Sequence, residues 1–294
     1  MKRQQITGRS QLVGIIGNPV GHSMSPYIHN HLFRTLDLPF VYIPLEVRKE
    51  GLPALVESLR NLNCAGANVT VPYKQDIAPL CDALSGLSQL TGTVNTLYRD
   101  NGKLIGTTTD AEGFFKTLER LQYNSSKDNI VILGNGGTAR TISIALAHEK
   151  RPKSLTIIGR NQSRIDTLAA EITGKTGFPV ATALFNTDTA AARLKDCSLL
   201  VNCTSVGLVP DTAASPLPPE AFHKDMLVFD VIYTPLETQF LSHAKQAGCR
   251  TQNGLLMLVY QGLASFHYWT GVAAGIELLD MDELQSLLRE NYQA

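Results

Sequence analysis

Ile130 to Ala145 reads IVILGNGGTARTISIA. Residues 130–133 are an apolar run of strand length, Gly134-x-Gly136-Gly137-x-Ala139 is a turn, and the residues beyond it carry the apolar spacing of a helix. Glycines at 134 and 136 permit a tight turn and close backbone approach to a pyrophosphate. The small Ala139 lets the helix pack near the strand, and the helix N-terminus faces the anion. The stretch therefore reads as a dinucleotide-binding turn, although glycine-rich turns also join strands to helices with no ligand.

Around it, 294 residues suffice for two domains. Lys plus Arg equals Asp plus Glu at 26 each, so no global field gathers nucleic acid or an acidic membrane. The five cysteines, Cys64, Cys81, Cys197, Cys203 and Cys249, lack CxxC or Cys/His spacing, which argues against a zinc site and for small buried thiols in a reducing compartment. Residues 1–12 are polar, and no stretch reaches the roughly 18 apolar residues of a membrane span. A cytoplasmic protein is expected, with no nucleic-acid or membrane partner and no metal.

Before the turn, the pattern predicts a strand over 12–16, a helix to about Leu36 opened by Ser25 and Pro26, a strand over 40–45, a helix over 52–62 and a strand over 64–71. This is the βαβ rhythm of a mostly parallel α/β sheet. Ser23 and Ser25 suit capping, and equally suit donation to a carboxylate. Asn68 and Thr70 share one face of their strand, with Lys74 just past its end. A strand over 93–98, a turn at Asp100-Asn101-Gly102 and a strand to Gly106 follow, and then Asp110 opens a helix to about Leu121.

After the turn the rhythm restarts. Strands are expected over 155–158, 180–185, 198–202 and 227–231, with helices over 165–172 and 236–247, the repeat of a doubly wound fold. Residues 255–269 form an apolar helix in which Gln261 needs partners. The second strand ends Gly159-Arg160-Asn161-Gln162-Ser163-Arg164, with two guanidinium groups and no acid. Arg suits a 2′-phosphate where Asp or Glu would suit a ribose hydroxyl, so NADP(H) is expected over NAD(H).

Eight ordered segments together resemble the shikimate dehydrogenase family over nearly the whole chain. They are Gly17-Asn18-Pro19 with Ser23-x-Ser25-Pro26, Asn68-Val69-Thr70-Val71-Pro72-Tyr73-Lys74, Val94-Asn95-Thr96, Thr109-Asp110 with Gly113-Phe114, the glycine-rich turn, Asn202-Cys203-Thr204-Ser205-Val206-Gly207, Asp230-Val231-Ile232-Tyr233-x-Pro235, and the run from Gly254 to Gly262. The resemblance implies a substrate domain over 1–110, a Rossmann-type NADP domain over 111–252 and a helical segment over 253–294 that returns to the first domain. It implies reduction of 3-dehydroshikimate to shikimate with NADPH, by a monomer or homodimer.

Carried over position by position, Lys74 and Asp110 are the catalytic pair. Ser23 and Ser25 hold the substrate carboxylate, Asn68, Thr70, Asn95, Asp110 and Gln261 bind ring hydroxyls, and Tyr233 is a further substrate residue. Gly134, Asn135, Gly136, Gly137, Thr138, Ala139, Arg160, Arg164, Thr204, Gly254 and Met257 meet the cofactor. Three positions depart from the family pattern: Thr108 and Gly159 each stand for Asn, and Asn135 for a small residue. Two alternatives stay open, a quinate/shikimate dehydrogenase using NAD and a low-activity or non-catalytic binder of NADPH or a metabolite.

Overall fold

The computed structural model describes residues 6–291, so the polar start read over 1–12 lies partly outside it. In chain order the elements are β1 (Gln11–Gly17), α1 (Ser25–Thr35), β2 (Phe40–Glu46), α2 (Leu52–Asn61), β3 (Cys64–Val69), β4 (Ala83–Leu84), α3 (Ser88–Thr91), β5 (Thr96–Asp100), β6 (Lys103–Thr107) and α4 (Asp110–Arg120). There follow β7 (Asn129–Leu133), α5 (Gly137–Ala145), β8 (Ser154–Gly159), α6 (Gln162–Thr176), β9 (Val180–Leu184), α7 (Asp188–Lys195), β10 (Leu199–Asn202), β11 (Leu227–Asp230), α8 (Gln239–Gln246), β12 (Arg250–Gln252), α9 (Leu255–Thr270) and α10 (Met281–Asn291). Among the described residues no helix is long and apolar enough to cross a membrane.

The chain forms two compact units, Met1–Gly113 with Val259–Asp280 and Phe114–Leu258 with Met281–Ala294. Two of the three crossings fall inside helices, α4 and α9, a few residues later than the boundaries expected at 110 and 252. The closing helix α10 groups with the second unit, not the first.

In the first unit six strands run in the order β2-β1-β3-β5-β6-β4. The parallel trio β2-β1-β3 comes from two helical crossovers, and β1 sits at its centre with Val13, Ile15 and Ile16 buried. Strand order reverses between β1 and β3, so their carboxyl ends flank the crevice where open α/β sheets bind ligands. The expected hairpin is β5 and β6. Asn101 and Gly102 both take positive φ, 47° and 78°, as its two-residue turn requires. The structure ends β3 at Val69, although the Thr70 amide still makes a ladder bond to Ile16 O at 2.8 Å. It also moves the cap of α1 from Ser25 to Met24, which makes no side-chain cap. Ser25 is instead the first residue of α1, its amide held by Ser23 Oγ at 3.2 Å.

The second unit is an all-parallel sheet in the order β12-β11-β10-β7-β8-β9. Numbered from β7, that is the 3-2-1-4-5-6 winding of a Rossmann fold, with its switch point between β7 and β10. Leu133 pairs with Asn202, so the two following turns leave the sheet side by side. Buried Val131, Leu133, Leu200, Val228 and Phe240 belong to one apolar cluster of this unit. Helix α8 starts three residues later than read, because Thr238 caps it by accepting from the Leu241 amide.

Candidate active site

In the first unit the strand ends bring distant residues together. Lys74 Nζ donates to Asp110 Oδ2 at 2.5 Å, with the two side chains 15% and 6% exposed. The other oxygen of Asp110 accepts from Asn95 Nδ2 at 2.9 Å. Asn95 donates also to Gln261 Oε1 at 3.0 Å, and its own Oδ1 accepts from the Thr109 amide at 2.8 Å and Thr96 Oγ1 at 2.9 Å. Because a backbone amide can only donate, the Thr109 bond turns the carboxamide so that its nitrogen faces Asp110. An ammonium and a carboxylate withdrawn from water in this way form a strong, oriented, hydrogen-bonded ion pair.

Asn68 lies beneath this pair. Its Oδ1 accepts from Tyr42 OH at 2.7 Å, and its Nδ2 is within reach of Ser265 Oγ at 3.0 Å and Asn95 O at 3.1 Å. Tyr42 OH also bonds to Ser25, and burial pushes the phenol well above its ordinary range. His29 stacks on Tyr42 with ring centroids 4.6 Å apart. Burial lowers the imidazole to about 3, only partly offset by a bond to Asn68. Ser23, Ser25, Asn68, Thr70, Lys74, Asn95, Asp110 and Gln261 all belong to the first unit, whereas Tyr233 lies in the loop after β11 in the second.

Sequence reading missed Tyr42, His29 and Ser265. One signal was available for Ser265: it stands four residues after Gln261 and so shares its helix face. Nothing comparable marked Tyr42 or His29, which look like ordinary core positions.

In the second unit the switch point opens a cavity of about 830 Å³. Gly134, Asn135, Gly136, Arg160, Arg164 and Thr204 line it. Gly134 takes φ +101°, and a Cβ there would lie 3.1 Å from Thr204 Cγ2 and 3.3 Å from the Cys203 backbone, so the two turns meet only because it is glycine. A Cβ on Gly136 would meet nothing within 4 Å, which leaves room for a ligand beside the N-terminus of α5, where no side chain caps the helix. Arg160 and Arg164 are exposed, and among the described residues neither guanidinium pairs with a carboxylate. No Asp or Glu lines the cavity.

The remaining expected cofactor residues are not among the cavity walls. Gly137 and Thr138 are in the first turn of α5, and Ala139 is fully buried behind them. Gly254 packs against Val231, whose carbonyl oxygen a Cβ would approach to 2.1 Å, and Met257 is buried in α9. Of the three departures, Gly159 has a local reason, since a Cβ there would come within 2.5 Å of Ile165 Cγ2. Asn135 faces the cavity, and the buried Thr108 hydroxyl has no partner among the described residues.

Behind the cavity, Asp230 is fully buried. It accepts from Asn202 Nδ2 at 3.0 Å, the Ile232 amide at 3.1 Å and Thr238 Oγ1 at 2.6 Å. Burial outweighs these donors and raises its carboxyl to about 7. Among the described residues no three His, Cys, Asp or Glu side chains gather as a metal site would require.

The chain was compared with known proteins. A family model described as the shikimate dehydrogenase substrate binding domain matches residues 15–97, and one described as the Shikimate 5'-dehydrogenase C-terminal domain matches residues 254–278. The shikimate dehydrogenase (NADP(+)) of Desulforamulus reducens is 36% identical over 277 residues, 94% of this chain and 95% of that one. A solved shikimate dehydrogenase in complex with NADP+ superimposes with a TM-score of 0.89 at 33% identity, over 98% of both chains. The Listeria monocytogenes shikimate 5-dehydrogenase, solved with shikimate and NAD, gives 0.87 at 30% identity over 98% of this chain and 99% of that one.

Proposed function

The chain belongs to the shikimate dehydrogenase family, and on that premise we propose that it reduces 3-dehydroshikimate reversibly to shikimate with NADPH, a step toward aromatic amino acids. The observation that carries the reading furthest is the Lys74 and Asp110 pair at 2.5 Å, withdrawn from water and braced by Asn95.

NADPH, when bound, supplies the hydride. As negative charge builds on the ketone oxygen, the Lys74 ammonium stabilises it and delivers its proton there, while Asp110 holds Lys74 in place and balances its charge. In the reverse direction neutral Lys74 takes the hydroxyl proton. Ser23 and Ser25 hold the substrate carboxylate. Thr70, Asn95, Asp110 and Gln261 orient the ring hydroxyls, with Asn68 and Tyr233 as further substrate residues.

The cavity at the switch point suits NADP(H) in the space at Gly136, the uncapped start of α5 and the two unpaired guanidinium groups. In this reading Gly134, Asn135, Gly136, Gly137 and Thr138 receive the pyrophosphate, Ala139 packs the helix start behind them, and Arg160 and Arg164 receive the 2′-phosphate. Thr204, Gly254 and Met257 complete the cofactor contacts. The rest of the proposal is a cytoplasmic monomer or homodimer whose partners are these two small molecules.

A second reading, NAD use, draws on the Listeria relative solved with NAD. Against it stands the absence of an acid among the cavity walls. Initial rates with shikimate and with quinate, each with NADP+ and NAD+, separate the readings. Turnover of shikimate with NADP+ is expected to lead; quinate with NAD+ leading would replace this proposal, and four blank assays would leave a binder.

A further inference from the structure

We propose that Ser265 is a positioning residue for this reaction, its hydroxyl orienting the Asn68 and Asn95 carboxamides beside the Lys74 and Asp110 pair; this rests on the functional reading just given. Ser265 is fully buried on α9, four residues after Gln261. Within hydrogen-bond reach of its oxygen are Thr96 Oγ1 at 2.7 Å, Gln261 O at 2.9 Å, Asn68 Nδ2 at 3.0 Å and Thr109 Oγ1 at 3.2 Å.

A hydroxyl that only folded back on its own helix would need Gln261 O alone. Donor counting gives it a larger part. Asn68 Nδ2 can only donate, so Ser265 accepts from it. Thr96 Oγ1 shares a proton with Ser265 Oγ across 2.7 Å and also reaches Asn95 Oδ1 at 2.9 Å. Thr109 Oγ1 donates to Gln261 O at 2.9 Å. One connected chain results, from Asn68 through Ser265 and Thr96 to Asn95 Oδ1. The carboxamide of Asn95 is left with its nitrogen toward Asp110.

Removing the Ser265 oxygen leaves a buried amide donor on Asn68 short of an acceptor and releases the Thr96 hydroxyl. Both changes loosen groups that face the ring hydroxyls and the acid pair, and none reaches the cofactor cavity. The effect should therefore fall on one substrate only.

Ser265→Ala, assayed as the whole chain with shikimate and NADP+, is expected to raise the KM for shikimate and lower kcat, each by about five-fold, with the KM for NADP+ unchanged. Unchanged shikimate constants would overturn the proposal. So would a fall in kcat alone accompanied by a lower melting temperature, which marks a merely structural hydroxyl. If the unaltered protein turns over no shikimate, the functional reading fails, and NMR exchange of the Asn68 and Asn95 side-chain amide protons still decides the positioning claim. Faster exchange in Ser265→Ala supports it, and equal exchange overturns it.

Discussion

Lys74 and Asp110, 36 positions apart in sequence, meet with Nζ and Oδ2 2.5 Å apart. The contact exists because β3 and β6 deliver their following residues to one edge of the same sheet. In the proposed reaction the pair supplies both the proton and the charge balance, so its removal should affect chemistry more than affinity.

In Lys74→Ala, kcat is expected to fall at least about 10²-fold with a modest change in the KM for shikimate. Steady-state kinetics on the folded variant check this. A drop confined to KM would remove Lys74 from the chemistry and leave it a binding residue. The variant should also melt lower, because Asp110, 6% exposed, loses the cation that balances its charge.

Arg160→Ala should raise the KM for NADP+ about ten-fold or more while leaving the KM for NAD+ nearly unchanged. A guanidinium bound to a 2′-phosphate has no equivalent partner on the unphosphorylated cofactor. Equal losses with both cofactors would show that Arg160 reads something other than that phosphate.

His29 makes stability fall in acid. Its imidazole is held to about 3 by burial in the folded protein against 6.5 in an exposed chain. Between those values the unfolded state binds a proton that the native state does not. Stability is therefore full above pH 6.5 and is lost as pH falls toward 3, by up to a few kcal/mol. His29→Gln should flatten that part of the curve of unfolding free energy against pH, measured with urea. A slope equal to that of the unaltered protein would mean that the acid sensitivity arises elsewhere.

Asp230 works in the opposite sense. Its carboxyl rises to about 7 in the folded protein from 3.8, so over that window the native state keeps a proton that the unfolded chain has released. Its contribution is most favourable below pH 3.8 and declines as pH climbs through 7. In Asp230→Asn the decline between pH 4 and 7 should be shallower, whatever the absolute stability of the variant. A decline of equal steepness would assign the effect to another group.

Much of this molecule was legible before any fold was known. The run from Ile130 to Ala145 became β7, a glycine turn and α5, because strand length, φ freedom at Gly134 and helical spacing are all local properties. Arg160 was singled out by residue type at a predicted strand end, whereas Lys74 and Asp110 were assigned as a pair only through the family resemblance. Boundaries were less legible. Thr238 moved the start of α8 by accepting from the Leu241 amide, and β3 ended at Val69, two residues before the end read from the pattern.

The sequence by itself determined the two α/β halves, the dinucleotide turn and the identity of the charged groups, since periodicity and glycine placement act over a few residues. Only the tertiary structure decided how each polar group is used. Asn68, read as a residue for substrate, also has its carboxamide held in place by Tyr42, Ser265 and Asn95. Ser265, silent in an apolar helix, bridges strand and loop. A buried donor must find an acceptor, and which one it finds depends on chain segments up to 197 positions apart that meet only after folding.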